Sequence, residues 1–499
     1  MPGTLLVATW GIPHRWQRVE YELEGERLSS YTSLSMLVKK HCSGDSSCSA
    51  LIIVADSAAA KSGDEEWVKR VSAYTDIVEV ARSTIDDWIR DNIVGDDPLA
   101  NLYSAGRVYI KVAPNIGSFP IGSVRQPRGM LSLAIDDKLT SRGLVVSPLG
   151  LYEVHALSYI LDMLLDGRGE YDSVVVDLTH GVNFMPLATF RAALHAARTY
   201  AVSRGRSVNI YVYNSEPVYG NYPGPYRIHM LDSYTIEPPK AAFMLAYSTK
   251  WFHGSKGLRL TKQAGRLQSE LQKRVRALGR EVSRHYLDWL VAVGAYKACA
   301  GLAAIYYASS RNEDCNLCRA VSQLDEALQL ARKAVEVTRD GEGVKAKWVL
   351  AAPRNSAWAL TAAASIADYV VRNVAHVALN PEEEGVSVED LQAVAENMGK
   401  GEGAGMTRCM MAVNECDSLK KNCLENPDEE RCPLIVGDDV WPEEECMLSS
   451  ASPRNFVAHG GLERNLVEAK RTREGRLKLR YRKGCWGIVK NLLVDLTRR

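Results

Sequence analysis

The first half of the chain alternates two hydrophobic patterns. Five segments are apolar on consecutive positions: "GTLLVATWG", "SALIIVADS", "RVYIKVAPN", "YDSVVVDLTHG" and "SVNIYVYNSEP". Runs such as "LIIV" and "SVVV" fit strands buried on both faces of a parallel sheet. Between them lie segments with helical spacing: "YTSLSMLVKK", "DEEWVKRVSAYTDIVEVA", "LYEVHALSYILDMLLDG" and "LATFRAALHAARTYAVS". Strand–helix alternation predicts an open, doubly wound α/β sheet of the Rossmann-like class.

The pattern changes near "IEPPK" (236–240). Beyond it the strand signal nearly disappears. "LTKQAGRLQSELQKRVRALGREVSRHYLDWLVAVGAYKA", "AVSQLDEALQLARKAVEV" and "SAWALTAAASIADYVVRNVAHVAL" all carry helical spacing. The expected organisation is an α/β domain over 1–235, a helical linker over 236–285 and an all-α domain over 286–499. A Cys-rich, acidic stretch at about 400–447 reads as an insertion in the last of these. Glu425 to Glu445 holds nine carboxylates and one Arg, whereas "RNLVEAKRTREGRLKLRYRKG" near the end is strongly basic. Such a basic cluster is suited to phosphate contact.

Length and composition narrow the class only a little. A chain of 499 residues has room for two or three domains. An apolar content of 46% with 24% charged residues suits a soluble globular protein. The net charge of +1 identifies no partner. No apolar run reaches the roughly 18 residues of a membrane span. "MPGTLLVATWG" lacks the basic start and cleavage site of a signal peptide, so a cytoplasmic protein without membrane attachment is expected.

The eleven cysteines leave alternatives open. Cys315 and Cys318 form a single C-x-x-C, whereas a zinc site wants two close pairs. Cys409, Cys416 and Cys423 are spaced seven apart and would share a helix face. Buried thiols and structural disulfides both fit. Disulfides would suit a cytosolic protein only in a hyperthermophile.

In an open α/β sheet, ligands bind at the carboxyl ends of the strands. Here those ends read "ATWGIPHRW", "DLTHGVNFMP" and "YNSEPVYG". None carries G-x-G-x-x-G, and no G-x-x-x-x-G-K-[ST] occurs, which disfavours nicotinamide enzymes and P-loop NTPases. In "DLTHGVNFMP" the strand should end near Leu178 and the next helix begin between Asn183 and Pro186. Gly181 would let backbone approach a ligand, and the helix start would favour an anion. Thr179 and Asn183 could equally be plain caps of a strand–helix turn.

Two Arg–His pairs stand out: "RNVAH" (Arg372 to His376) and "RNFVAH" (Arg454 to His459). Four residues of helix advance about 400°, so Arg372 and His376 are ordinary neighbours on a helix that nothing interrupts before Asn380–Pro381. The second pair is bounded by Ser452, a good N-cap, Pro453, a good first residue, and Gly460–Gly461. Five residues advance about 500°, which sets Arg454 and His459 roughly 140° apart on a short helix.

"DLTHGVNFMP" resembles the signature of CRISPR-associated Rossmann-fold (CARF) domains, and "ATWGIPHRWQRVEYELEG" resembles the start of that family. The likeness covers roughly residues 1–235. "RNFVAH" is similar to the R-x4–6-H motif of HEPN ribonucleases, including the polar residue after Arg, and "RNVAH" departs from that spacing. The order of the two parts resembles the ancillary ribonucleases of type III CRISPR antiviral systems. The resemblance implies a cyclic oligoadenylate, with the tetra-adenylate ring usual in this branch, bound across a two-fold dimer interface as allosteric activator. Its pocket would be lined by Thr179, His180, Gly181 and Asn183, together with Trp10, Gly11, Asn214 and Ser215.

The resemblance further implies an endoribonuclease acting on single-stranded RNA. His459 would serve as general base or acid, Arg454 would hold the phosphate and Asn455 would orient one of them. A 2′-hydroxyl attack would leave a 2′,3′-cyclic phosphate. One His cannot be base and acid at once, so a homodimer is expected, with a larger assembly of dimers left open. No carboxylate pair adjoins the motif in sequence, so neither metal nor cofactor is expected. A competing reading is an oligoadenylate-responsive regulator that binds nucleic acid through its basic tail without cutting it.

Overall fold

The computed structural model describes the chain except residues 1–2, 43–46, 65, 123–124, 126, 141–145, 167–169, 219–223, 249–251, 253–260, 263–266, 312–314, 378–379, 401–403, 426–431, 447–451 and 499. All five apolar runs of the first half form strands: β1 (Gly3–Trp10), β4 (Ser49–Ala55), β5 (Val108–Ala113), β6 (Tyr171–Asp177) and β7 (Val208–Ser215). They pair in parallel in the order β7-β6-β1-β4-β5. Leu51, Ile52, Ile53, Val174, Val175 and Val176 are all buried, as strands covered on both faces require.

Three strands extend this sheet beyond the expected five. The hairpin β2 (Val19–Leu23) and β3 (Glu26–Ser30) turns at Glu24–Gly25, and β8 (Tyr226–Ile236) runs antiparallel to β7 and parallel to β2. The eight-strand order is β3-β2-β8-β7-β6-β1-β4-β5. These strands face water on one side and are rich in charge, so they lack the continuous apolar signal of the central five.

The helices α1 (Ser33–His41), α2 (Tyr74–Asn92), α3 (Pro148–Leu165) and α4 (Met185–Arg204) occupy the expected intervals. The pattern from Asp64 to Ala81 is not one helix, however. A short turn at Trp67–Arg70 precedes α2, because Asp76 Oδ2 accepts from the backbone N–H groups of Ser72 and Ala73 and restarts the helix.

The second half is built on long helices: α5 (Ser269–Ala298), α6 (Asn316–Lys333) and α7 (Arg354–Val374). α5 is continuous through residue 285, so the expected linker and the helical domain share one element. α7 is shorter than its apolar pattern predicts. It ends at Val374, where the N–H groups of Ala375 and Val377 bond to carbonyls three residues back and tighten the chain into a turn.

Strands also occur in the second half, which is therefore not purely helical. Glu336–Asp340 and Gly343–Trp348 form a hairpin, and the latter pairs in parallel with Pro127–Ile135 of the first half, so one sheet spans both halves. The basic segment near the end is likewise a hairpin, Val467–Arg471 with Leu477–Tyr481. Leu477, Leu479 and Tyr481 point inward while the basic residues alternate outward, a period-two pattern hidden by its charge.

Within the Cys-rich stretch lies α8 (Ala404–Leu419). Ten of the eleven cysteines pair: Cys42–Cys48, Cys299–Cys409, Cys315–Cys318, Cys423–Cys432 and Cys446–Cys485. Cys416 is a buried free thiol. Of the readings left open by spacing, disulfides account for all but this one, and the C-x-x-C is itself bonded. Among the described residues, no helix is long and apolar enough to cross a membrane.

Besides the sheet that spans both, the halves are joined along α4 and α7. Ser203 on α4 donates to the buried Asp368 carboxylate on α7, and Arg372 Nη2 donates back to the Ser203 carbonyl. Nearby, Glu153 on α3 is fully buried and lies 3.7 Å from Arg191 on α4 and 3.8 Å from Arg354 on α7. Both guanidinium groups also lie over the Trp358 ring, on which His195 stacks at 4.4 Å.

Candidate ligand pocket and catalytic segment

The strand order reverses direction at β1, between β4 and β6, so a crevice opens where the loops after β1 and β6 part. A cavity of about 600 Å³ lies at this end of the sheet, and Thr179, His180, Asn214 and Ser215 line it. The loop after β6 is fixed from below. Asp177 is buried, and its carboxylate accepts from the Thr179 N–H at 3.0 Å and the Ser33 hydroxyl at 2.8 Å. The Ser215 N–H then donates to Thr179 Oγ1 at 3.0 Å, tying the loops after β6 and β7 together.

His180 is held just as closely. The first N–H of α1, from Ser33, points at His180 Nε2 from 3.3 Å. A backbone amide can only donate, so Nε2 is the acceptor and the proton sits on Nδ1. The Trp16 ring lies 4.1 Å from the imidazole, centroid to centroid. Desolvation lowers the imidazole to about 4, with Asp177 partly opposing, so His180 is neutral near pH 7. It offers a ligand a flat, uncharged hydrogen-bonding face.

The other four expected pocket residues sit differently. Trp10 is fully buried and packs edge-on against Trp16 and Trp88, so it supports the pocket floor instead of lining it. Gly11 donates its N–H to the His180 carbonyl at 2.7 Å. A Cβ on Gly11 would fall 2.8 Å from Val182, and one on Gly181 would fall 2.6 Å from Thr9 and 2.7 Å from Pro186. These glycines let the two loops touch each other. Asn183 is exposed with φ of 53°, in the left-handed region that Asn tolerates, and α4 starts two residues later without a side-chain cap. Pocket residues missed by motif reading are Arg15, Trp16, Gln17, Tyr21 and Tyr31. The first three lie inside "GIPHRWQ", where an Arg beside a Trp was the available signal.

The segment "RNFVAH" forms α9 (Pro453–Ala458). Its limits are those its caps predict. The Ser452 hydroxyl accepts from the Asn455 N–H, and His459 ends the helix before Gly460 and Gly461, with φ of 54° and 85°. Phe456 is completely buried and anchors the helix, while Arg454, Asn455 and His459 are exposed around its rim. Among the described residues, the Arg454 and Asn455 side chains make no hydrogen bond or ion pair.

Two carboxylates missing from the motif approach His459 in space. Glu415 Oε1, on α8, lies 3.3 Å from His459 Nδ1. Glu463 is buried, which holds its carboxyl above the usual range, and the nearby His459 charge partly offsets this. Motif reading misses Glu415 because it is forty-four residues away on another helix. Among the described residues, no group of three acidic, His or Cys side chains is arranged to hold a metal ion.

The other pair, Arg372 and His376, is structural. The Arg372 guanidinium caps the carboxyl end of α4 through the Ser203 carbonyl and packs against Gly205, whereas His376 is exposed beyond the end of α7.

A Rossmann-like sheet with a polar pocket at its switch point, joined to a helical region exposing an Arg–His pair, defines a two-domain CARF–HEPN architecture. Residues 5–217 match the family model described as CRISPR system endoribonuclease Csx1, CARF domain, and residues 411–483 match the model for its HEPN domain. Over 234 residues, 47% of this chain, the sequence is 26% identical to the CRISPR system endoribonuclease Csx1 of Methanocaldococcus jannaschii. The match covers 41% of that protein's length. The chain belongs to the type III CRISPR-associated CARF–HEPN ribonuclease family.

Proposed function

We propose that the protein is a single-stranded RNA endoribonuclease, independent of metal and activated by a cyclic oligoadenylate of the tetra-adenylate size. The observation that carries this reading is the exposed Arg454, Asn455 and His459 on one short, capped helix within the residues matched to a HEPN domain. Arg454 binds the scissile phosphate through its fork and stabilises charge as it builds there. His459 of one protomer takes the 2′-hydroxyl proton. The 2′-oxygen attacks phosphorus, the bond to the 5′-oxygen breaks, and the partner subunit's His459 protonates that oxygen. The products are a 2′,3′-cyclic phosphate and a 5′-hydroxyl. DNA lacks the attacking group and resists cleavage.

The pocket suits the activator's chemistry: Trp16 and His180 offer ring faces to adenine, Arg15 a cation to phosphate, and Asn214 and Ser215 neutral hydrogen-bonding groups. α4 starts beside the pocket loop and packs at its far end on α7, so this contact is the route by which ligand binding reaches the helical region. The ligand activates by its tighter binding to the active arrangement.

The test is cleavage of fluorescent single-stranded RNA in EDTA, with and without cyclic tetra-adenylate. Stimulated cleavage that survives His376→Ala and disappears in His459→Ala is the expected result. A requirement for divalent metal would overturn the mechanism. Cleavage indifferent to any cyclic oligoadenylate would overturn the activator assignment.

A further inference from the structure

The stretch that reads as an acidic, Cys-rich insertion supplies one wall of the catalytic segment. α8 lies directly against the turn that follows His459: a Cβ on Gly460 would fall 2.5 Å from the Ala412 Cβ. A Cβ on Gly461 would fall 2.6 Å from Ala300, just past the end of α5. Cys409 on α8 is bonded to Cys299 at that same end of α5. The neighbours Ala412 and Cys416 on α8 are buried. α8, the catalytic turn and the end of α5 therefore form one packed block, and Glu415 projects from its rim with 23% of its side chain exposed.

Neutral imidazole exists as two tautomers, and only the form protonated on Nδ1 leaves Nε2 free to accept a proton. A carboxylate is negative and cannot donate a hydrogen bond, so a carboxylate oxygen 3.3 Å from Nδ1 favours the form that carries its proton there. Nearly half of the His459 side chain is open to solvent. Glu463 does not serve this purpose. It is not within ion-pair distance of the ring, and its Oε2 is buried without a hydrogen-bond partner among the described residues.

We propose that Glu415 is a positioning residue for RNA cleavage, holding His459 in the Nδ1-protonated tautomer with Nε2 facing the 2′-hydroxyl. The proposal rests on the reading of His459 as the reacting base. When His459 takes up the 2′-hydroxyl proton at Nε2, the same carboxylate stabilises the imidazolium; the partner subunit's His459 protonates the 5′-oxygen, and the proton on the first Nε2 returns to solvent before the next turnover. Glu415 itself neither gains nor loses a proton.

The experiment compares the full chain with Glu415→Leu, Glu415→Gln and His459→Ala, using single-stranded RNA and saturating cyclic tetra-adenylate. Glu415→Gln keeps the size and shape of the side chain at the rim, so it should melt within a few degrees of the parent. Its kcat should fall roughly 10- to 100-fold with KM within about twofold, a smaller loss than for a buried orienting carboxylate because the pair is half open to water. Histidine-selective ¹⁵N labelling reads the tautomer, with the His459 signals assigned by their absence in His459→Ala. The Nδ1 shift should move from protonated toward unprotonated in Glu415→Leu, which has no acceptor, whereas the Gln amide oxygen can still accept from Nδ1–H. An unchanged kcat, or a lowered kcat with an Nδ1 shift unmoved in Glu415→Leu, overturns the proposal while leaving the His459 reading intact. Full activity in His459→Ala overturns the His459 reading, and this proposal with it.

Discussion

"RNVAH" and "RNFVAH" differ by one residue and end in opposite environments. In the first, Arg372 lies along the surface and donates to the Ser203 carbonyl, and His376 is exposed beyond the helix end. In the second, Arg454 and His459 are both exposed, and it is Phe456 between them that is buried. One pair has its cation spent on holding two domains together. The other has its cation free and its imidazole beside a carboxylate. In both segments the residue two after the Arg is buried, Val374 in one and Phe456 in the other; what separates them is what their polar ends meet, the Ser203 carbonyl for Arg372 and the Glu415 carboxylate for His459.

The comparison can be broken most directly at the two histidines. His459→Ala should lower activated RNA cleavage by roughly 10²- to 10⁴-fold, the range typical of lost acid–base catalysis, as read by initial rates at saturating activator. The arginines should reverse the pattern in stability. Arg372→Ala removes a charged donor from a part-buried carbonyl and should cost about 1–3 kcal/mol in denaturant melts. Arg454→Ala should leave the melt within about 0.5 kcal/mol while abolishing most cleavage. Equal stability losses for both would erase the distinction. Ser452→Ala should cost about 1 kcal/mol by removing the cap that isolates α9. His376→Ala should change neither stability beyond about 0.5 kcal/mol nor cleavage.

The pocket and the catalytic segment were legible to different degrees. "DLTHGVNFMP" pointed to Thr179 and His180, which do line the cavity, because a motif at a strand end must face the crevice. It did not separate ligand-facing positions from packing ones. Gly11, Gly181 and Trp10 support the pocket through contacts between two loops far apart in sequence. Arg15, Trp16 and Tyr21 come from a loop and an edge hairpin whose strands carried too much charge to be noticed. The basic end misled in the same way: its alternation is that of a hairpin, but the charges drew attention first.

Local spacing by itself determined the five central strands, the helices between them and the limits of α9, because apolar periodicity, a Ser cap and a Gly pair act over a few residues. Only the tertiary structure decided which Arg is free, which cysteines meet and which carboxylate stands beside His459. Those depend on contacts across tens or hundreds of residues, such as Cys299 with Cys409, Arg372 with Ser203 and Glu415 with His459. No local pattern records them, since packing of whole elements fixes such pairs after each element has formed.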